Sequence, residues 1–258
     1  MTYRATLAYD GSAYQGFQRQ AGDTPTIQLA LERAIAAVTG QSVTVNAAGR
    51  TDSGVHAVGQ VIAFDVDWSH GPHDLLRAVN AHLPDDIALQ DMRQQHGFHP
   101  RYDALARCYR YTVIQAGQRQ PLWRNSAWWV RQPLDMNRLQ QAADLLRGRH
   151  DFAAFGQPPQ GENTVREMYR SGWTRHTEHF GARLVYEVEG TAFLHHMVRR
   201  MVGLQVEVGR GVVDLQTFAR IFASADLSMV KVIAPPQGLV LWRVRYPDDP
   251  PTTGGGSG

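Results

Sequence analysis

Cysteine and lysine are almost missing from this chain. Cys108 is the only cysteine, so no intrachain disulfide can form and no cysteine-rich metal site can be built. A reducing, cytoplasmic setting is the simplest expectation. Lys231 is the only lysine, so nearly all the positive charge is guanidinium, which grips phosphate in a fork and stacks on bases. No apolar run approaches the length of a membrane span, and residues 1–6 enter a strand pattern at once, so neither a membrane segment nor a signal peptide is expected. A glycine-rich phosphate loop is also missing. The net charge of +2 argues only weakly about partners. Its distribution says more, because residues 101–149 carry nine arginines against three acids, while residues 1–100 carry six against ten.

What is present suits a globular α+β protein. The 258 residues are enough for one large domain or two small ones. The most informative stretch is Gly49-Arg50-Thr51-Asp52-Ser53-Gly54-Val55-His56-Ala57. It lies between a strand pattern at 43–48 and another at 58–66. Two glycines let the backbone bend there, and the bend holds an arginine, a carboxylate and a histidine. The plain alternative is an ordinary turn with Asp52 capping its own backbone.

Taken in order, residues 3–9 alternate as a strand and 10–20 form a loop. Thr24-Pro25 reads as the cap of a helix reaching about Val38, stopped by Gly40. A second helix opens at Pro72, and residues 87–93 make a strand. Strand, helix, strand, strand, helix, strand is a ferredoxin-like split pattern over about the first 95 residues. After a linker at 98–104, residues 106–113 alternate again. Arg107, Tyr109 and Tyr111 share one side, a pattern that fits either an RNA-stacking strand or an edge strand with aromatic pairs. A helix is expected at 135–146, a mobile loop at 157–163, and paired strands at 168–173 and 183–189. A further helix is expected to open at Gly190, with Leu194, Met197, Val198, Met201 and Val202 as its stripe and Arg199 beside it. On such a helix His195 and His196 face different ways, which argues against a paired metal site. Residues 248–258 read as a disordered tail.

Five separated segments resemble, in order, those of the TruA family of tRNA pseudouridine synthases. They are residues 9–18, the GRTDSGVHA loop at 49–57, the RxYxY strand at 107–111, the FLHHMVR segment at 193–199 and the APPQGL segment at 234–239. The 150–155 segment is similar too. The loop departs from the family's commoner pattern only at Ser53, where alanine is usual. The resemblance implies two α+β lobes, 1–100 and 101–247, with mixed, largely antiparallel sheets joined around a central cleft. It implies that Asp52 is the nucleophile, that Arg199 pairs with it, and that Tyr109 packs on the target uracil. Arg50, His56, Arg107 and Tyr111 are expected to bind substrate, and Arg19 and Gln18 to reach towards the RNA. The implied reaction isomerises uridine to pseudouridine at positions thirty-eight to forty of the tRNA anticodon arm. It needs no cofactor and no metal, and the family works as homodimers. A pseudouridine synthase acting on another RNA, or a catalytically silent RNA-binding module, would share most of these features.

Overall fold

The computed structural model describes residues 1–158 and 161–249. Part of the loop expected at 157–163 and most of the tail expected at 248–258 lie outside these residues. The first two residues of that tail are among those described. Asp248 and Asp249 both pair with Arg4, at 3.0 and 3.1 Å.

The first half follows its sequence pattern closely. β1 (Thr2–Tyr9) leads to α1 (Ile27–Thr39), whose cap is Thr26, not Thr24. The Thr26 hydroxyl accepts the Leu29 N–H at 3.3 Å, and Gly40 ends the helix at φ 70°. The strand expected at 43–48 shrinks to β2 (Asn46–Ala47), while β3 (His56–Asp65) is long. Then come α2 (Pro72–Asn80) and β4 (Ile87–Gln94). β1 pairs antiparallel with both β3 and β4, and β2 pairs antiparallel with β3. That is the split arrangement the element order predicts.

The second half adds β5 (Ala106–Ala116), β6 (Trp128–Val130), α3 (Met136–Asp144) and β7 (Gly148–Asp151). It continues with β8 (Val165–Glu178), β9 (Gly181–Gly190), α4 (Met197–Gly209), α5 (Leu215–Ala223) and β10 (Leu239–Arg245). All ten strands belong to one sheet, in the order β4-β1-β3-β10-β5-β9-β8-β7, with β2 on β3 and β6 on β5. The sheet therefore runs unbroken across the boundary expected near residue 100. β10 makes the join, parallel to β3 and antiparallel to β5.

β5 lies between β10 and β9. This rules out the edge-strand alternative and explains why Tyr111 and Val113 are fully buried. β9 buries every second residue, from Ala182 to Gly190, so one face of the sheet packs on the core and the other meets solvent. α3 packs on both α4 and β8 on the covered side.

The buried tyrosines give this core a pH limit. Burial pushes the phenols of Tyr109 and Tyr186 up to about 12, and raises those of Tyr9, Tyr111 and Tyr246 as well. In the unfolded chain a phenol ionises near about 10. Between these values the unfolded chain holds fewer protons, so stability falls as pH rises. We expect Tm to hold up to about pH 9.5 and to fall steadily from about pH 10 to 12. The 295 nm phenolate absorbance of the buried set should appear together with loss of the far-ultraviolet dichroism. Full phenolate absorbance with the dichroism intact would contradict this.

Candidate active site

The loop carrying Asp52 is held from several sides. Its turn closes with Val55 N–H donating to the Asp52 carbonyl at 3.1 Å. Gly54 stands at φ 76° there, a conformation that residues with a Cβ rarely adopt. The Thr51 carbonyl accepts Phe17 N–H, and the Thr51 hydroxyl meets Tyr9 Oη at 2.7 Å. Gln60 Nε2 donates to the Gly49 carbonyl at 2.8 Å. Ser53, the one departure from the usual motif, donates its hydroxyl to the Tyr14 carbonyl at 3.1 Å, a bond alanine could not make. The carboxylate is thus presented by a clamped loop and not by a mobile one.

Sheet register sets what stands opposite. Leu241 of β10 pairs with Ala57 of β3 on one side and Tyr109 of β5 on the other. That row brings Tyr109 beside the chain leaving the Asp52 loop. The Tyr109 ring packs edge-on against Phe193 at 5.0 Å, and among the described residues its hydroxyl has no hydrogen-bond partner. Arg199, in the first turn of α4, donates from Nη1 to Asp52 Oδ2 at 3.1 Å and from Nε to the Ala234 carbonyl at 2.8 Å. The second bond fixes the guanidinium, so its charge is aimed before substrate arrives.

The histidine pair differs from its sequence expectation. α4 begins at Met197, so His195 and His196 precede the helix, and His196 takes a left-handed conformation at φ 60°. This reversal stacks the two rings 3.7 Å apart. Both Nε2 atoms face the carboxylate, His195 at 3.6 Å from Oδ1 and His196 at 3.5 Å from Oδ2. The premise that they diverge on a helix is therefore removed. Burial holds the His196 imidazole below its usual pKa, helped by His195, Arg199 and Arg200 and opposed by Asp52.

These groups line a cleft of about 1220 Å³. Arg19, Arg50, Arg101, Arg107, Arg166 and Arg199 all reach its wall. They come from every part of the chain. Much of the basic middle segment points elsewhere: Arg110 pairs with Glu187, Arg138 with Asp135, and Arg147 with Asp144. Arg50 is exposed on the rim, and among the described residues it forms no ion pair. Arg19 is paired with Glu32 at 3.1 Å. Tyr102, 74% exposed on the linker, is a lining residue that the sequence did not single out. An exposed aromatic beside arginines was the available signal.

Three expected substrate-binding residues are occupied by other partners. Arg107 is buried and donates to the carbonyls of Ala48, Arg101, Ala104 and Thr191, at 2.7–3.4 Å. It staples the approach to the catalytic loop onto the linker and the end of β9, which leaves little donor capacity for RNA. His56 is buried behind the loop, where Nδ1 accepts the Gly11 N–H at 3.0 Å and Nε2 meets the Gln237 carbonyl at 3.1 Å. The Tyr111 hydroxyl donates to the Pro235 carbonyl at 2.8 Å. Neither His56 nor Tyr111 lines the cleft. Replacing Arg107 with methionine should lower unfolding stability by about 3 kcal/mol, because several buried carbonyls lose their donor. Urea unfolding would show this, and an unchanged midpoint with weakened RNA binding would restore the substrate role.

A carboxylate aligned by a fixed guanidinium, beside a tyrosine edge in an arginine-walled cleft, is equipped for nucleophilic chemistry on a phosphate-bearing polymer. Comparison with known proteins gives the family. Residues 5–103 and 142–247 match the sequence profile of a family described as tRNA pseudouridine synthase. A Neisseria gonorrhoeae protein named tRNA pseudouridine synthase A is 42% identical over 245 residues, covering 94% of this chain and 91% of that one. A Geobacillus protein of the same name is 39% identical over 246 residues, covering 94% and 97%. A solved structure of a Cbf5-Nop10-Gar1 complex is similar at 12% identity and a TM-score of 0.33, over 80% of this chain and 54% of that one, too little to carry an argument. The chain belongs to the tRNA pseudouridine synthase family.

Proposed function

We propose that this protein isomerises uridine to pseudouridine in the anticodon arm of tRNA, at positions thirty-eight to forty, with Asp52 as nucleophile. The observation that carries this reading is the Asp52–Arg199 pair at 3.1 Å in the arginine-walled cleft. Arg199 engages Oδ2, so Oδ1 is the carboxylate oxygen free to attack, at C1′ or at C6 of the base. The N1–C1′ bond breaks, the uracil turns, and C5 joins C1′; the bond to the Asp52 oxygen breaks again to restore the carboxylate, the C5 proton passes to water, and N1 takes up a proton from water in its place. No atoms are gained or lost. The target base must leave its stack, at a cost of a few kcal/mol, which arginine–phosphate contacts offset. Burial keeps the Tyr109 phenol protonated at neutral pH, with its pKa at about 12, which supports packing against the uracil more than abstracting its proton. The exposed Arg50 and Tyr102 are placed to meet phosphate and base along the rim.

Recognition of three adjacent uridines favours reading of arm shape over base identity. On the family resemblance, the protein acts as a cytoplasmic homodimer with tRNA spanning both subunits. No helix among the described residues is long and apolar enough to cross a membrane. The test uses unmodified tRNA transcript tritiated at uridine C5, with products mapped by carbodiimide-blocked primer extension. Tritium release with stops in the anticodon arm is expected. Stops elsewhere would keep the chemistry and move the target. Tight binding without release would leave an RNA-binding module.

A further inference from the structure

Asp52, His195 and His196 are the one group of three or more potential ligands that the described residues bring together, with donor atoms all within 4.8 Å of one another. We propose that this cluster is a binding site for a single transition-metal ion of the imidazole-preferring class, typified by Zn²⁺, and that the ion and RNA compete for it. The competition rests on the reading of Asp52 as the reacting group; the binding site itself does not.

The donor set is one zinc favours: two imidazole nitrogens and a carboxylate oxygen, with a place left for water. Ligands bound at about 2.0–2.2 Å in a tetrahedron stand about 3.3–3.6 Å apart. His195 Nε2 stands 3.6 Å from Oδ1 and His196 Nε2 3.5 Å from Oδ2, and one donor atom from each of the three residues lies within 4.8 Å of the others, so the set closes on one ion by side-chain rotation alone. The backbone supplies the preorganisation. Adjacent residues point apart on a strand or a helix, but the left-handed turn at His196 brings both rings to the same carboxylate. The site is also reachable, because the His195 side chain is 63% exposed at the cleft. Arg199 opposes a second cation, but it holds Oδ2 and leaves Oδ1 beside His195. Mg²⁺ does not suit the site, since it prefers all-oxygen coordination. An ion here would cover the carboxylate and fill the space where the uracil must sit.

The test begins without RNA. Equilibrium dialysis with zinc chloride should show one equivalent bound to the wild type, undisturbed by millimolar magnesium. His195→Asn and His196→Asn should each weaken binding by about tenfold or more. Cobalt chloride should give a visible ligand-field spectrum that either substitution reduces, which reports the site independently of turnover. Thermal melts confirm that the variants are folded. Unchanged zinc affinity in both folded variants, or no binding by the wild type, would overturn the proposal. In the tritium-release assay, zinc should inhibit in step with occupancy and chelator should reverse it. Zinc bound at these histidines with undiminished release would overturn the competition, and with it the role of Asp52, while dialysis still upheld the site.

Discussion

Asp52→Asn is expected to abolish tritium release, lowering turnover by on the order of 10⁴-fold or more. The substitution keeps the shape of the side chain and an oxygen to accept from Arg199, so the loop should hold its place. What it removes is the nucleophilic oxygen. The Asp52 side chain takes no part in the loop's clamps, which run through Thr51, Ser53, Gly49 and the bond from Val55 N–H to the Asp52 backbone carbonyl that asparagine keeps. The melting temperature should therefore shift by only a few degrees, and tRNA affinity should stay within about tenfold, since affinity comes mainly from arginine–phosphate contacts. Single-turnover measurement with saturating enzyme separates these effects. Residual turnover above about one per cent would mean that another group attacks the nucleoside.

Arg199→Ala should cost about 10²-fold in kcat while leaving tRNA affinity nearly unchanged. The guanidinium makes two bonds with different jobs, Nη1 to Asp52 Oδ2 and Nε to the Ala234 carbonyl. Alanine releases both, and the carboxylate loses the partner that aims it. Arg199→Lys should recover less than about tenfold, because an ammonium on a flexible stem cannot reproduce the fork that spans both acceptors. A purely structural role would lower stability and leave the kcat of the folded fraction intact. A phosphate contact would raise KM and shallow the salt dependence of binding. Turnover of Arg199→Ala equal to the wild type would sink the pairing as a catalytic device.

The comparison of sequence with structure divides along a physical line. Local chemistry was legible wherever a residue's conformation depends on its neighbours in the chain. The glycine that stops α1, the alternation of β1, and the glycines that bend the Asp52 loop all fall in this class. The resemblance supplied Asp52, Arg199 and Tyr109 by position, and all three side chains line one cleft. The errors arose where spacing was mistaken for conformation. Leu194 fits the stripe of α4, but the helix starts three residues later, after Gly190 has ended β9 against Glu167 and Met168, where no Cβ fits, and His196 has taken its left-handed conformation. Arg107 and Tyr111 sit on the same side of β5 as Tyr109, so their pattern predicts a shared task. Yet only Tyr109 has a hydroxyl left without a protein partner among the described residues.

The sequence by itself determined the elements, their order, the bend that exposes Asp52, and the identity of the groups available for chemistry. These depend on backbone sterics and hydrophobic periodicity, which act over a few residues. Only the tertiary structure decided which polar groups meet. Asp52 and Arg199 are 147 residues apart in the chain and 3.1 Å apart in space. They meet because β10 inserts between β3 and β5 and closes two half-sheets into one. The same closure turned His195 and His196 onto the carboxylate and consumed the donors of Arg107. A buried donor bonds whichever carbonyl folding delivers, and local spacing carries no information about which one arrives.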